Sequence, residues 1–152
     1  MGRKRRILWV LVGLTLAFIF GQSLLDCETS KKESSAVQNQ VVEPVYRAIT
    51  GETAKKLTDE TVRDAAHMIE FAILGFEAAL LLRHKNQICR GLKAVSYCGF
   101  AGLLDESIQF FSDRTPQVVD LWHDILGAFL GTVLALAFCA VIQKRLRKKG
   151  KS

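Results

Sequence analysis

Apolar residues fall in four long runs, and polar segments of contrasting charge separate them. The first run, Ile7 to Leu25, is almost unbroken: ILWVLVGLTLAFIFGQSLL. At about 1.5 Å per residue its length nearly covers a hydrocarbon core of about 30 Å. The second, Arg63 to Leu82, mixes apolar residues with an ordered polar set. Arg63, His67, Glu70, Leu74 and Glu77 follow the spacing of one helical face, while Met68, Phe71, Ala72 and Ala79 mark the opposite, apolar side expected to meet lipid. The third, Ala94 to Phe111, is apolar in its first half and ends in Asp105, Glu106 and Gln109. Asp105 and Gln109 share a face with Gly102. The fourth, Val118 to Ile142, aligns Asp120, Asp124, Gly127, Gly131 and Ala135. Gly127 and Gly131 have the small-xxx-small spacing that lets two helix backbones approach closely.

These runs predict an all-α integral membrane bundle of four transmembrane helices in one domain, residues 1–152. The segment 26–62 is expected to be an extracytoplasmic loop. Within it, Val37 to Gly51 carries Val41, Val42, Val45, Tyr46 and Ile49, an approximate helical stripe interrupted by Pro44. A short helix lying on the outer leaflet and a solvated loop both fit that stretch. The short segment Arg83 to Lys93 reads as a basic turn.

Composition changes the picture through the position of charge. The chain is 49% hydrophobic and carries a formal net charge of +6. Mean hydropathy is only +0.18, because apolar runs are averaged with basic tails and a polar loop. The basic residues cluster as Arg3, Lys4, Arg5 and Arg6; as Arg83, Lys85, Arg90 and Lys93; and as Lys144, Arg145, Arg147, Lys148, Lys149 and Lys151. No Asp or Glu interrupts these three segments. Basic residues beside span ends set orientation by the positive-inside rule, so both termini are expected in the cytoplasm, with anionic headgroups and not nucleic acid as neighbours.

A cleaved signal peptide shares the basic-then-apolar start. No small-x-small cleavage site follows, and Leu24-Leu25-Asp26-Cys27 is a poor lipobox, so an uncleaved helix is favoured. Cys27, Cys89, Cys98 and Cys139 are scattered, and they indicate neither a zinc framework nor a disulfide scaffold. Cys27 is the one placed outside.

With that orientation, the start of the second helix, the end of the third and the start of the fourth meet at the extracytoplasmic end. Arg63, His67, Glu70, Asp105, Glu106, Gln109, Arg114, Asp120 and Asp124 then form one polar layer, a candidate ligand site. Charges at the edge of a span are costly unless they pair or do chemistry. Glu77 stands apart near mid-membrane; a neutral carboxyl in the bundle interior is the reading preferred, with a hydrogen bond to Ser96 or Thr132 and a place on a proton path as the others.

At these residues the chain resembles the VanZ-like family of small bacterial membrane proteins. The end of the first run, Phe18 to Ser23, and the serines Ser30, Ser34 and Ser35 resemble the family's first span and its sequel. Arg63-x-x-x-His67-x-x-Glu70-Phe71-x-x-Leu74-Gly75 resembles its second helix. Asp105-Glu106-x-x-Gln109, Arg114 and Asp120-x-x-x-Asp124-x-x-Gly127-x-x-x-Gly131 resemble its third and fourth. The chain departs from the family pattern at Asp64, where a basic residue is frequent, at Ile108, where His is frequent, and at Asp124, where Asn is common.

The resemblance implies a multi-pass protein of the bacterial cell membrane. The family is named for a member linked to teicoplanin resistance. A part in glycopeptide response, or in binding an outer-leaflet lipid, an envelope precursor or a glycopeptide-related ligand, is therefore the function expected. Two other readings stay open. One is a membrane-embedded enzyme using Glu70, Asp105 or Glu106 as acid and base, with His67 as proton shuttle. The other is a scaffold in which Arg63 and Arg114 pair with the carboxylates. His67 with Glu70, and Asp120 with His123 or Asp124, carry donor types suited to a divalent metal. The chain lacks the paired Glu-x-x-His helices of carboxylate-bridged sites, so neither metal nor other cofactor is expected.

Overall fold

The computed structural model describes residues 2–24, 36–50, 59–82, 86–111 and 118–149. They form α1 (Arg3–Ser23), a π-turn (Gln38–Val42), α2 (Glu43–Thr50), α3 (Asp59–Leu81), α4 (Gln87–Phe110) and α5 (Val118–Lys149). No strand occurs among the described residues. Cys27, Asp113 and Arg114 lie outside them.

α3 is the centre of the bundle. It packs on α5 above all, and also on α1 and α4. Gly127 and Gly131 of α5 press against the backbone carbonyls of Met68 and Ala72, and Gly75 of α3 presses against the carbonyl of Ala128. A Cβ at any of the three would collide with main chain, which cannot swing aside as a side chain can. Thr132 adds a hydroxyl hydrogen bond to the Gly75 carbonyl at 3.3 Å, and Phe76 packs against Phe138.

This central position corrects the expectation that the side of α3 carrying Met68, Phe71, Ala72 and Ala79 meets lipid. Phe71 and Ala79 are fully buried, and Met68 and Ala72 supply the carbonyls that meet α5. Neighbours enclose α3 from three directions, and its exposed apolar residues reduce to a strip containing Ile69 and Ile73. The core that results joins Val12 and Ile19 of α1, Phe71, Leu74 and Ala78 of α3, Ala94 and Cys98 of α4, and Ala128 and Ala135 of α5.

α4 also begins earlier than the third apolar run. Asn86 caps it, its side-chain oxygen accepting a hydrogen bond from the Ile88 amide at 2.8 Å. Much of the expected basic turn is therefore helix. Arg90 is buried at 8% exposure; its Nε donates to the Ala79 carbonyl and its Nη2 approaches Cys139 Sγ at 3.5 Å. A residue counted as a flanking charge thus joins α3, α4 and α5.

The stretch expected as a short amphipathic helix or a loop is helical. The helical stretch runs unbroken from 36 to 50, and the π-turn falls just before Pro44, where the ladder must accommodate a missing N–H. Val41, Val45 and Ile49 are exposed there at four-residue spacing.

α1 and the stretch Val119–Arg147 of α5 are each long and apolar enough to cross a membrane. α3 and α4 carry more charge, yet they expose Ile69, Ile73, Phe100 and Leu103.

Gly131→Ala is expected to destabilise the bundle by about 1–3 kcal/mol, the usual range for overpacking. Gly21→Ala, where no atom lies within 4 Å of the added Cβ, is expected to leave stability unchanged. Reversible SDS unfolding of the two variants checks the difference.

Candidate functional site

Helical periodicity brings the polar residues of four helices to one end of the bundle. Arg63 and His67 lie one turn apart on α3, as do Asp120 and Asp124 on α5. The glycine contacts hold these two helices in parallel register. Each basic residue therefore meets an aspartate across the seam. Arg63 Nη2 is 3.0 Å from Asp120 Oδ2, and His67 Nδ1 is 3.6 Å from Asp124 Oδ1. A half-buried pair flanks them, His123 Nδ1 and Asp64 Oδ2 at 3.9 Å.

α4 inserts Asp105 beside His67, with Oδ2 at 3.9 Å from Nδ1. Gln109, one turn on, donates to the same Oδ2 at 3.0 Å. The hydroxyl of Ser23, at the end of α1, donates to Asp105 Oδ1. Gly102 leaves room for α5 at this level. A Cβ there would stand 3.1 Å from Asp124 Oδ2. His67, Asp105 and Asp124 thus meet from three helices, at 6%, 0% and 0% exposure.

The expected layer is largely assembled. His67, Asp105, Gln109 and Asp124 form its interior, and Arg63 with Asp120 forms an outer tier. Glu70 is half-buried, one turn from His67 and within electrostatic reach of Asp105 and Asp124. Glu106 lies on a neighbouring flank of α4, where it lines a shallow groove of 420 Å³ with Leu103, Ser107, Phe110 and Phe111. Arg114 lies outside the described residues.

Sequence reasoning missed Ser23 as a site residue. Its signals are the resemblance of Phe18 to Ser23 to the family's first span and a polar pair, Gln22-Ser23, at the end of an apolar run, which equally marks a span boundary. It also missed the pairing of Asp64 with His123, since neither belongs to the principal polar stripe. Glu77 accepts a hydrogen bond from Thr15 of α1 at 3.0 Å; Thr132 bonds Gly75 instead and Ser96 is exposed. Ser23 donates to a carboxylate and not to an imidazole base, so it is not arranged as an activated nucleophile.

The family model described as VanZ/LLP1 matches residues 8–140. The chain belongs to the VanZ-like family. Comparison with curated proteins and with solved structures returns no match. The VanZ-like match runs from within α1 to within α5 and so includes every residue of the polar layer.

Chemically, this VanZ-like layer holds more carboxylates than cations among the described residues. Asp64, Glu70, Asp105, Asp120 and Asp124 face one guanidinium, Arg63, and two imidazoles, His67 and His123. Arg63 is already engaged by Asp120. Such a layer favours amines, hydroxyls and cations over free anions.

A double-mutant cycle of Arg63→Gln and Asp120→Asn, read by unfolding free energy, is expected to give a coupling of about 0.5–3 kcal/mol. The looser, half-buried pair is expected to give less than about 1 kcal/mol in the cycle of Asp64→Asn and His123→Gln.

Proposed function

We propose that this VanZ-like protein crosses the bacterial cell membrane four times, on α1, α3, α4 and α5, with both termini cytoplasmic. We propose further that its extracytoplasmic polar layer binds the head of an outer-leaflet lipid or envelope precursor. The observation that carries this reading is the inverted polarity of the bundle. Asp105, Gln109, Asp120 and Asp124 are buried, while Phe18, Ile69, Phe100, Leu126 and Leu134 are exposed. A protein in water would gain from the opposite arrangement; in lipid, polar groups belong in the bundle interior.

Charge narrows the ligand. An acidic layer repels an isolated phosphate or carboxylate. It suits a head that presents an amine or several hydroxyls, with only the N–H groups of Arg63 that Asp120 does not take left for an accompanying anionic group. The groove at Glu106 sits beside the layer on α4 and combines one carboxylate with leucine and phenylalanine walls, as an amphiphile requires. Trp122, 65% exposed near the start of α5, has the character of an interfacial anchor. The exposed stripe of α2 suits contact with the same leaflet. The family's namesake is linked to teicoplanin resistance, which makes teicoplanin susceptibility a readout for occupancy of this site.

Two measurements test the proposal. In a background with Cys27, Cys89, Cys98 and Cys139 replaced by alanine, membrane-impermeant thiol reagents are expected to label Asn39→Cys from outside the cell and Asn86→Cys only after permeabilisation; the reverse pattern rejects the topology. Native mass spectrometry of the full chain in mild detergent is expected to retain an amine- or hydroxyl-bearing lipid. Arg63→Lys and Glu106→Gln should reduce that occupancy at unchanged abundance, and a deletion strain should show altered teicoplanin susceptibility. Absence of any retained lipid from the wild-type protein rejects the binding reading.

A further inference from the structure

The interior of the polar layer has a feature that a lipid headgroup does not explain. His67, Asp105 and Asp124 each offer one donor atom, and these atoms lie within 4.8 Å of one another. All three residues are buried. Among the described residues, neither oxygen of Asp124 has a hydrogen-bond partner within 3.5 Å, and neither does His67 Nδ1. A fully buried carboxylate without a hydrogen bond is among the costliest arrangements in a protein interior. A protonated His67 would balance only one of the two carboxylates. At 3.6 and 3.9 Å its contacts with them are longer than ordinary hydrogen bonds, and the one to Asp124 is the closer.

We propose that His67 Nδ1, Asp105 and Asp124 hold a divalent metal ion. Donors about 2.0–2.4 Å from a shared centre stand roughly 3–4 Å apart, which is the spacing seen around His67. Asp105 carries the support that metal ligands require: Ser23 and Gln109 donate to its two oxygens and fix its orientation. Gly102 keeps the volume beside Asp124 free of a side chain. Glu70 Oε2, buried and without a hydrogen bond, deepens the negative potential one turn along α3. One imidazole with two carboxylates suits ions that accept mixed nitrogen and oxygen donors, so Mn²⁺ and Zn²⁺ are the appropriate probes.

The neighbouring group of Asp64, Asp120 and His123 also brings three donor atoms within 4.8 Å. It is the weaker candidate. Two of its members are only partly buried, and the Arg63 guanidinium already occupies Asp120 and opposes a cation.

The metal would belong to the same layer proposed to bind a headgroup, and the inference rests on that layer but not on the identity of its ligand. The test uses the full chain in detergent, without added lipid. Titration with Mn²⁺, followed by electron paramagnetic resonance, is expected to saturate at one ion per chain. His67→Gln and Asp124→Asn should weaken binding at least 10-fold, while Ser96→Ala, exposed and outside the layer, leaves it unchanged. Zn²⁺ added to protein labelled with ¹⁵N-histidine should shift the Nδ1 resonance of His67 and spare those of His84 and His123. This second readout uses the unmutated chain, so it decides the matter even where a variant fails to fold. No saturable binding to the wild-type protein, or a Zn²⁺ shift at His123 in place of His67, overturns the proposal. Metal binding without a retained lipid leaves this inference standing and rejects the headgroup reading; retained lipid without metal does the reverse.

Discussion

The approach of α3 and α5, backbone to backbone, is the constraint on which the remaining structure depends. Gly127 and Gly131 let the second helix rest on the carbonyls of Met68 and Ala72, and Gly75 returns the contact against Ala128. Within a bilayer there is little hydrophobic drive for helices to associate, so close packing supplies the attraction and sets the register. One register brings Arg63 to Asp120 and His67 to Asp124 together. A slip of one residue would rotate the polar face of α5 by about 100° and separate both pairs.

Above that seam the electrostatics are graded by depth. Arg63 and Asp120 can share a true hydrogen bond at 3.0 Å, and Arg63 keeps 23% of its side chain accessible. Desolvation there is partial, and the pair comes out near balance. One turn further in, Asp105 and Asp124 are fully buried; Ser23 and Gln109 donate to Asp105, and His67 stands 3.6 Å from Asp124. The effective penalty for each buried ion is several kcal/mol, larger than one neutral hydrogen bond of about 1 kcal/mol returns. The deeper tier is therefore the costly one. That cost is the one that the cation proposed for this tier would offset.

Much of this was legible from residue spacing. The buried face of α5 is the face that periodicity selects, and Gly102, Asp105 and Gln109 share the buried side of α4 as their spacing requires. Spacing within a helix identifies faces but not which face meets which neighbour. For that reason α3 was read as half lipid-facing, when Phe71 and Ala79 lie in the core. For the same reason Glu77 was offered to Ser96 or Thr132, whereas α1 brings Thr15 to it. Ser23 is the sharpest case. Its donation to Asp105 joins residues 82 positions apart, and no local pattern in either helix encodes that meeting. Arg90 shows the converse difficulty, because a cation at a helix end reads as solvated whether or not a carbonyl lies within its reach.

The hydrogen bond between Thr15 and Glu77 bears on how the chain is built during synthesis. α1 leaves the ribosome first and is apolar enough to enter a bilayer unaided; α3 follows with Arg63, His67, Glu70 and Glu77 in its length. For a helix so burdened, the waiting hydroxyl of α1 is the earliest partner to hand. The chief partners of Arg63 and His67 arrive only with α5, about forty residues after α3 is complete. With the four spans proposed above, insertion through the translocon would be sequential, α1 serving as a dock for α3 and the more apolar α5 closing the assembly.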